Sequence, residues 1–163
     1  MPISHLHRCV FIHIPKCGGT SIETALGMLH GWEIENIDAV FGQVQSPALV
    51  AKGWVTRYLQ HLTWSELCDL VPPTKRNGYL SFSWVRNPWD RMVSIYSKKD
   101  PDMLQKARQV GLRLERLSFE NFVTATMNFQ HVHLQPQHTF ILDRERRPMV
   151  DFVGRFENFD SDF

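Results

Sequence analysis

The chain has 163 residues, 43% of them apolar and 12% aromatic, which is the size and composition of one globular domain with a sizeable core. Eighteen Lys and Arg balance seventeen Asp and Glu, so there is no global basic field of the kind that binds nucleic acid, and any anion site must be local. Cys9, Cys17 and Cys68 form an odd, widely spaced set that fits a reducing, cytoplasmic setting better than a disulfide framework. No apolar run approaches the roughly 18 residues of a membrane span, and the first eight residues lack the order of a signal peptide.

In chain order, residues 8–14 are a nearly continuous apolar run broken only by His13, which predicts a buried central strand with His13 as a satisfied core residue. Pro15 and Lys16 end the run. Gly18 and Gly19, Thr20 and Ser21 follow, and from Thr20 the apolar positions Ile22, Ala25, Leu26 and Leu29 fall at helix spacing, with His30 near the end and Gly31 as the stop. Strand, glycine turn and helix start make an anion-binding layout. The glycines let an anion approach closely, the first helical N–H groups point outward, and Lys16 adds a full charge. Cys17 reads as a spacer in that loop. The lysine precedes the glycines, so the segment is not a Walker A loop.

Residues 32–57 carry no clear pattern beyond the break at Ser46 and Pro47, which can start a short helix. Thr63 and Glu66 form a capping box for a helix to about residue 71, stopped by Pro72 and Pro73, and His61 falls in the turn before it. Residues 79–85 predict a second strand. Asn87 as cap, Pro88 at the first helical position, and a stripe of Trp89, Met92, Val93 and Tyr96 then predict a second helix. Arg86 at the strand end and Ser94 on the helix can converge on one phosphate, while Arg91 reads as a helix-surface or loop-bracing charge.

Residues 97–102 predict a solvated turn exposing Lys98 and Lys99, and residues 103–116 a helix with a solvated basic face. Ser118 caps a further helix to about residue 127, and His131 to His133 alternate like a strand or extended loop, with Gln135, Gln137 and His138 behind. With no cysteine nearby and no carboxylate before Asp143, an acceptor-binding loop or polar coil is expected at these histidines rather than a metal site. Residues 139–142 and 150–156 predict two short strands, with Arg155 and Glu157 as bracing residues. Two strand, turn and helix motifs predict an α/β, P-loop-like three-layer fold with a mostly parallel central sheet flanked by helices.

Three segments carry a family resemblance: Pro15-Lys16-Cys17-Gly18-Gly19-Thr20-Ser21, the run from Val85 to Tyr96, and Gly154-Arg155-Phe156-Glu157. Together they resemble the sulfotransferases that use 3'-phosphoadenylyl sulfate (PAPS), in particular the carbohydrate-type, heparan and chondroitin sulfotransferase-like group and its soluble bacterial-type branch. The resemblance implies that Lys16, Cys17, Gly18, Gly19, Thr20 and Ser21 hold the 5'-phosphosulfate, with Lys16 supporting the leaving group, and that Arg86 and Ser94 bind the 3'-phosphate. It implies sulfuryl transfer to an acceptor hydroxyl, with a saccharide as the expected acceptor class, and no metal, no nucleic-acid partner and no membrane span. His61-Leu62-Thr63 is similar to a histidine segment of soluble members, which makes His61 the expected general base. Family members usually continue for several tens of residues, so residues 1–163 are expected to be a single domain lacking the usual C-terminal portion. A nucleotide-binding domain without turnover, or a P-loop-type kinase, stays open as an alternative.

Overall fold

The computed structural model describes residues 2–28, 35–143 and 145–163. Its sheet has four strands in the order β1 (Ile3–Ser4), β2 (Cys9–Ile12), β3 (Leu80–Val85) and β4 (Phe152–Arg155). β2 pairs with β3 and β3 with β4 in parallel, whereas β1 pairs antiparallel to β2, so the sheet is only partly parallel. β1 escapes a pattern search because it is two residues long. β2 is buried throughout, and Phe11 stacks on Phe82 of β3, ring centroids 5.2 Å apart. Parallel strands end on one edge of a sheet. The segments after Ile12, Val85 and Arg155 therefore emerge side by side.

Helix α1 (Gly19–Ala25) follows β2, and its exit at Leu26 comes earlier than the sequence pattern implies. The stop expected at Gly31, with Leu29 and His30 before it, lies outside the described residues. α2 (Pro47–Val50) starts at the Ser46 break, and α3 (Trp64–Leu70) carries the expected capping box: Thr63 Oγ1 accepts from Glu66 N while Glu66 Oε2 accepts from Thr63 N. α4 (Pro88–Lys98) is capped by Asn87 as expected. Its stripe is not the expected one. Trp89 is 79% exposed and Val93 48%, while Arg91 and Ile95 face inward, because the Arg91 guanidinium donates to three main-chain carbonyls.

α5 (Pro101–Gln109) begins directly after α4, so the expected solvated turn is only the left-handed Lys99 and the cap Asp100, whose Oδ1 accepts from Met103 N at 3.1 Å. The expected long helix breaks after Gln109, and a single 3₁₀ turn covers Leu114–Arg116. α6 (Phe119–Thr126) is capped by Ser118. His131 to His133 form a 3₁₀ turn rather than a strand, and residues 138–141 are helix α7 (His138–Ile141) instead of the expected strand. Phe140 and Ile141 are both buried there, and Leu142 N donates to His138 O at 2.9 Å, the i to i+4 bond of a helical turn. α8 (Phe159–Asp162) follows β4. A second apolar cluster of Ile95, Met103, Ala107, Leu114 and Phe122 ties α4, α5 and α6 together. Among the described residues no helix is long and apolar enough to cross a membrane.

Candidate active site

At the strand ends lies a cleft of about 850 Å³. Lys16, Gly18, Gly19, Thr20 and Ser21 line one part of it, Arg86 and Ser94 another, and His61 a third. The structure thus brings together all but one of the residues singled out in the sequence. Cys17 is the exception: its side chain is buried beneath the loop, and Sγ–H donates to Gln137 Oε1 at 3.2 Å. Burial pushes its thiol up to about 11, so it stays protonated, as a spacer should.

The loop is shaped by two left-handed residues, Lys16 at φ 70° and Gly18 at φ 85°. Gly18 O accepts from Ser21 N at 3.0 Å and from Ile22 N at 3.4 Å, so the helical ladder starts at that carbonyl. Gly19 is required by contact, because a methyl group there would overlap the His13 ring. His13 is held from behind: its Nδ1 lies 2.6 Å from Oε1 of the fully buried Glu23 on α1. His13 is therefore a satisfied core residue at one nitrogen, yet its ring also forms part of the cleft floor. Lys16 is half-buried. Burial first, then the charges of Lys98 and Arg86, lower its ammonium pKa, and Asp100 opposes them.

Arg86 leans against this loop. Its Nη1 donates to Lys16 O at 3.4 Å, its guanidinium lies 4.3 Å from the centroid of the Phe156 ring, and its Nε is buried without a partner. An arginine with an orphaned buried N–H suits an anion, which would add acceptors to that face. Its main chain is fixed by Gln137, whose Oε1 accepts from Arg86 N at 2.8 Å and whose Nε2 donates to Arg86 O at 2.7 Å. Glu157 Oε1 accepts from Asn87 N at 2.6 Å, the bracing role read from the sequence, while Arg155 contributes its main-chain N–H to Asp162 Oδ2. Arg91 is a buried brace and not a surface charge: Nε, Nη1 and Nη2 donate to the carbonyls of Pro15, Gln135 and His133 at 2.9, 3.1 and 2.9 Å.

The opposite wall is built of imidazoles. His61 lies edge-on to His13, centroids 4.6 Å apart, and to His133 at 5.7 Å, and His133 lies edge-on to His131 at 5.0 Å. His61 is 9% exposed and its Nδ1 is enclosed without a partner. Burial, followed by His13 and His133, holds its pKa well below the usual imidazole value, so the ring is neutral. His131 Nε2 lies 3.0 Å from Asp102 Oδ2, which also receives Lys106 Nζ at 3.0 Å. Asp100, Asp102 and His131 can be superficially grouped as cation ligands, but these oxygens already accept from His131, Lys106 and Met103 N. The carboxylates missing near the histidines in the sequence arrive through α5.

Sequence reasoning missed Glu23, Gln137, Asp100 and Asp102. Glu23 left a faint signal, a charge beside Ile22 on the inward side of a short helix; the others are brought in by chain distant from the motifs they serve.

A partly parallel sheet, a glycine turn after its first parallel strand and an arginine after the next bring Lys16 and Arg86 to one cleft at the sheet edge, a layout that suits an anion. Residues 2–163 match the sulfotransferase family, and the chain belongs to that family. A stretch of 89 residues is 33% identical to an uncharacterized protein of Archaeoglobus fulgidus, covering 53% of this chain and 62% of that relative's length. No solved structure matches the chain.

Proposed function

We propose that the protein moves a sulfuryl group from PAPS to an acceptor hydroxyl, on a carbohydrate, by in-line displacement, within one domain of residues 1–163. The observation that carries the reading is that Lys16 with its glycine loop and Arg86 with Ser94 line the same cleft. The cleft's volume, about 850 Å³, suits a nucleotide, and the loop has the cradle at Gly19 that a side chain would fill. In this reading the donor supplies the sulfuryl group and its own leaving group, with no metal required.

The chain's residues then divide the work. Gly18, Gly19, Thr20 and Ser21, with the Cys17 main chain, hold the phosphosulfate, and Arg86 and Ser94 hold the 3'-phosphate. Lys16 neutralises charge that develops on the leaving oxygen; sulfuryl transfer, like phosphoryl transfer, needs positioning and electrostatic stabilisation more than covalent help. The acceptor gives its proton to an imidazole of the cleft wall, where His61 is the one the sequence segment singles out. Three unpaired thiols suit a cytoplasmic setting.

Calorimetry with adenosine 3',5'-bisphosphate, beside a radiolabelled sulfate-transfer assay on a panel of saccharides, tests the reading. Binding with transfer is expected; binding without transfer would leave a nucleotide-binding domain, and selective binding of ATP with magnesium would favour a kinase. Arg86→Ala should weaken nucleotide binding by about 1.5–3 kcal/mol, the range for a hydrogen bond to a charged group. Unchanged affinity in that variant would remove the 3'-phosphate assignment.

A further inference from the structure

We infer that His13 and Glu23 are positioning residues for the transfer: the Glu23 carboxyl fixes the His13 ring, and that ring, packed against both His61 and the glycine loop, sets their separation. The inference rests on the sulfuryl-transfer reading above, with His61 taking the acceptor proton. Both residues are buried, His13 at 5% and Glu23 at 0% exposure, and Glu23 Oε2 is enclosed without a partner. Such a group costs stability, and an apolar pair would fill the same space at less cost. What the carboxyl adds is direction. His13 Nδ1–H donates to Glu23 Oε1 at 2.6 Å, which fixes the plane and the tautomer of the ring.

The ring held in this way touches two working parts of the cleft. One is the loop. Gly19 and Glu23 are four residues apart on α1 and share its inner face, and a methyl group at Gly19 would overlap Cδ2 and Nε2 of His13. The other is the base. Among the described residues three rings stand around His61, with centroids at 6.2 Å for Tyr58, 5.7 Å for His133 and 4.6 Å for His13, which is the nearest. His61 Nδ1 is enclosed without a partner, so no hydrogen bond at that nitrogen fixes the ring and its neighbours do. Burial first, then His13 and His133, lower the His61 pKa, and a hydrogen bond to the His13 main chain opposes them.

In the step itself the acceptor oxygen bonds to sulfur as its proton passes to His61. The bond from sulfur to the bridging oxygen breaks, its electron pair staying on the 5'-phosphate. Acceptor oxygen, sulfur and leaving oxygen must lie in line, so the separation of His61 from the loop governs the rate; an error of about 1 Å costs on the order of 100-fold. One ring in contact with both parts sets that separation, and its bond to Glu23 keeps the ring from turning.

Sulfate release from PAPS to water, or transfer to a saccharide of the panel where that is faster, reads the step at saturating donor. Glu23→Gln keeps the shape and weakens the hold on Nδ1–H. It should lower the rate about 10-fold or more, while affinity for adenosine 3',5'-bisphosphate and the melting temperature stay native. His13→Phe combined with Glu23→Leu replaces the pair by apolar groups; it should fold as stably as the native chain and lose turnover likewise. Because the pair acts through His61, Glu23→Gln made in the His61→Ala chain should cost no further rate, whereas a structural defect would add its full loss. A native rate in Glu23→Gln, a loss matched by weaker nucleotide binding, or an undiminished loss on top of His61→Ala would each overturn the inference and leave sulfuryl transfer standing. A native rate in His61→Ala would do the same. A native chain that releases no sulfate from PAPS, to water or to any saccharide, would overturn both.

Discussion

The two walls of the cleft are made in different ways. The donor wall is local: each half is a strand, a turn of a few residues and a helix start, and the key side chains Lys16 and Arg86 sit on the turns themselves. The histidine wall is long-range: His13 comes from the end of β2, His61 from the turn before α3, His131 and His133 from a turn beyond α6, and the carboxylate Asp102 from α5. The first wall depends on backbone conformation and the second on packing. They should therefore fail differently when mutated.

The largest effect should come on the donor wall. Lys16→Ala should lower sulfate transfer by about 100-fold or more, in the range seen when one preorganised charge-stabilising donor is removed, while nucleotide affinity falls far less. Parallel transfer and calorimetry experiments would show it, and a variant with native turnover would break the assignment. Next comes the joint between the walls. Arg91→Leu strands three carbonyls, those of Pro15, Gln135 and His133, and should cost on the order of 3 kcal/mol in urea unfolding. Full native stability in that variant would show that the brace is dispensable.

A smaller loss is expected at the contact between loop and His13. Gly19→Ala forces a methyl group into the His13 ring and should lower stability by about 1–3 kcal/mol, the usual range for overpacking, with weaker nucleotide binding. A native melting temperature and native affinity together would refute that close approach. The smallest effect lies in the pH dependence of the histidine wall. Hydrogen bonding from His131, then from Lys106, holds the Asp102 carboxyl below its ordinary 3.8, at about 2, against the opposing effect of burial. A depressed carboxyl stabilises the fold above its ordinary value and loses that contribution as pH falls through the folded value. Asp102→Asn should therefore flatten the fall in melting temperature between about pH 4 and pH 2. An unaltered slope would mean that the pair contributes nothing to stability.

The same contrast explains what could be read from the chain. Capping residues Asn87, Thr63, Ser118 and the Ser46 break located helix starts correctly, because a cap acts within one turn of its own position. The placement of the loop residues and of Arg86 at strand ends is legible for the same reason. Residues 139–142 form a helix where a strand is expected, because so short a run has no period of its own, and the bond from Leu142 N to His138 O that marks the helical turn forms only on folding. Arg91 was half-read: its type announces a charge, but only the approach of three carbonyls from two other segments turns it inward. The partnership of His131 with Asp102, like that of Gln137 with Arg86, leaves no local trace at all.

The central claim is that one nucleotide spans the donor wall, and a crystal structure with adenosine 3',5'-bisphosphate bound tests it most directly. The 5'-phosphate should lie on the Gly18 and Gly19 loop within reach of Lys16, and the 3'-phosphate against Arg86 and Ser94. A nucleotide bound elsewhere, or one that leaves either cluster untouched, would contradict the account.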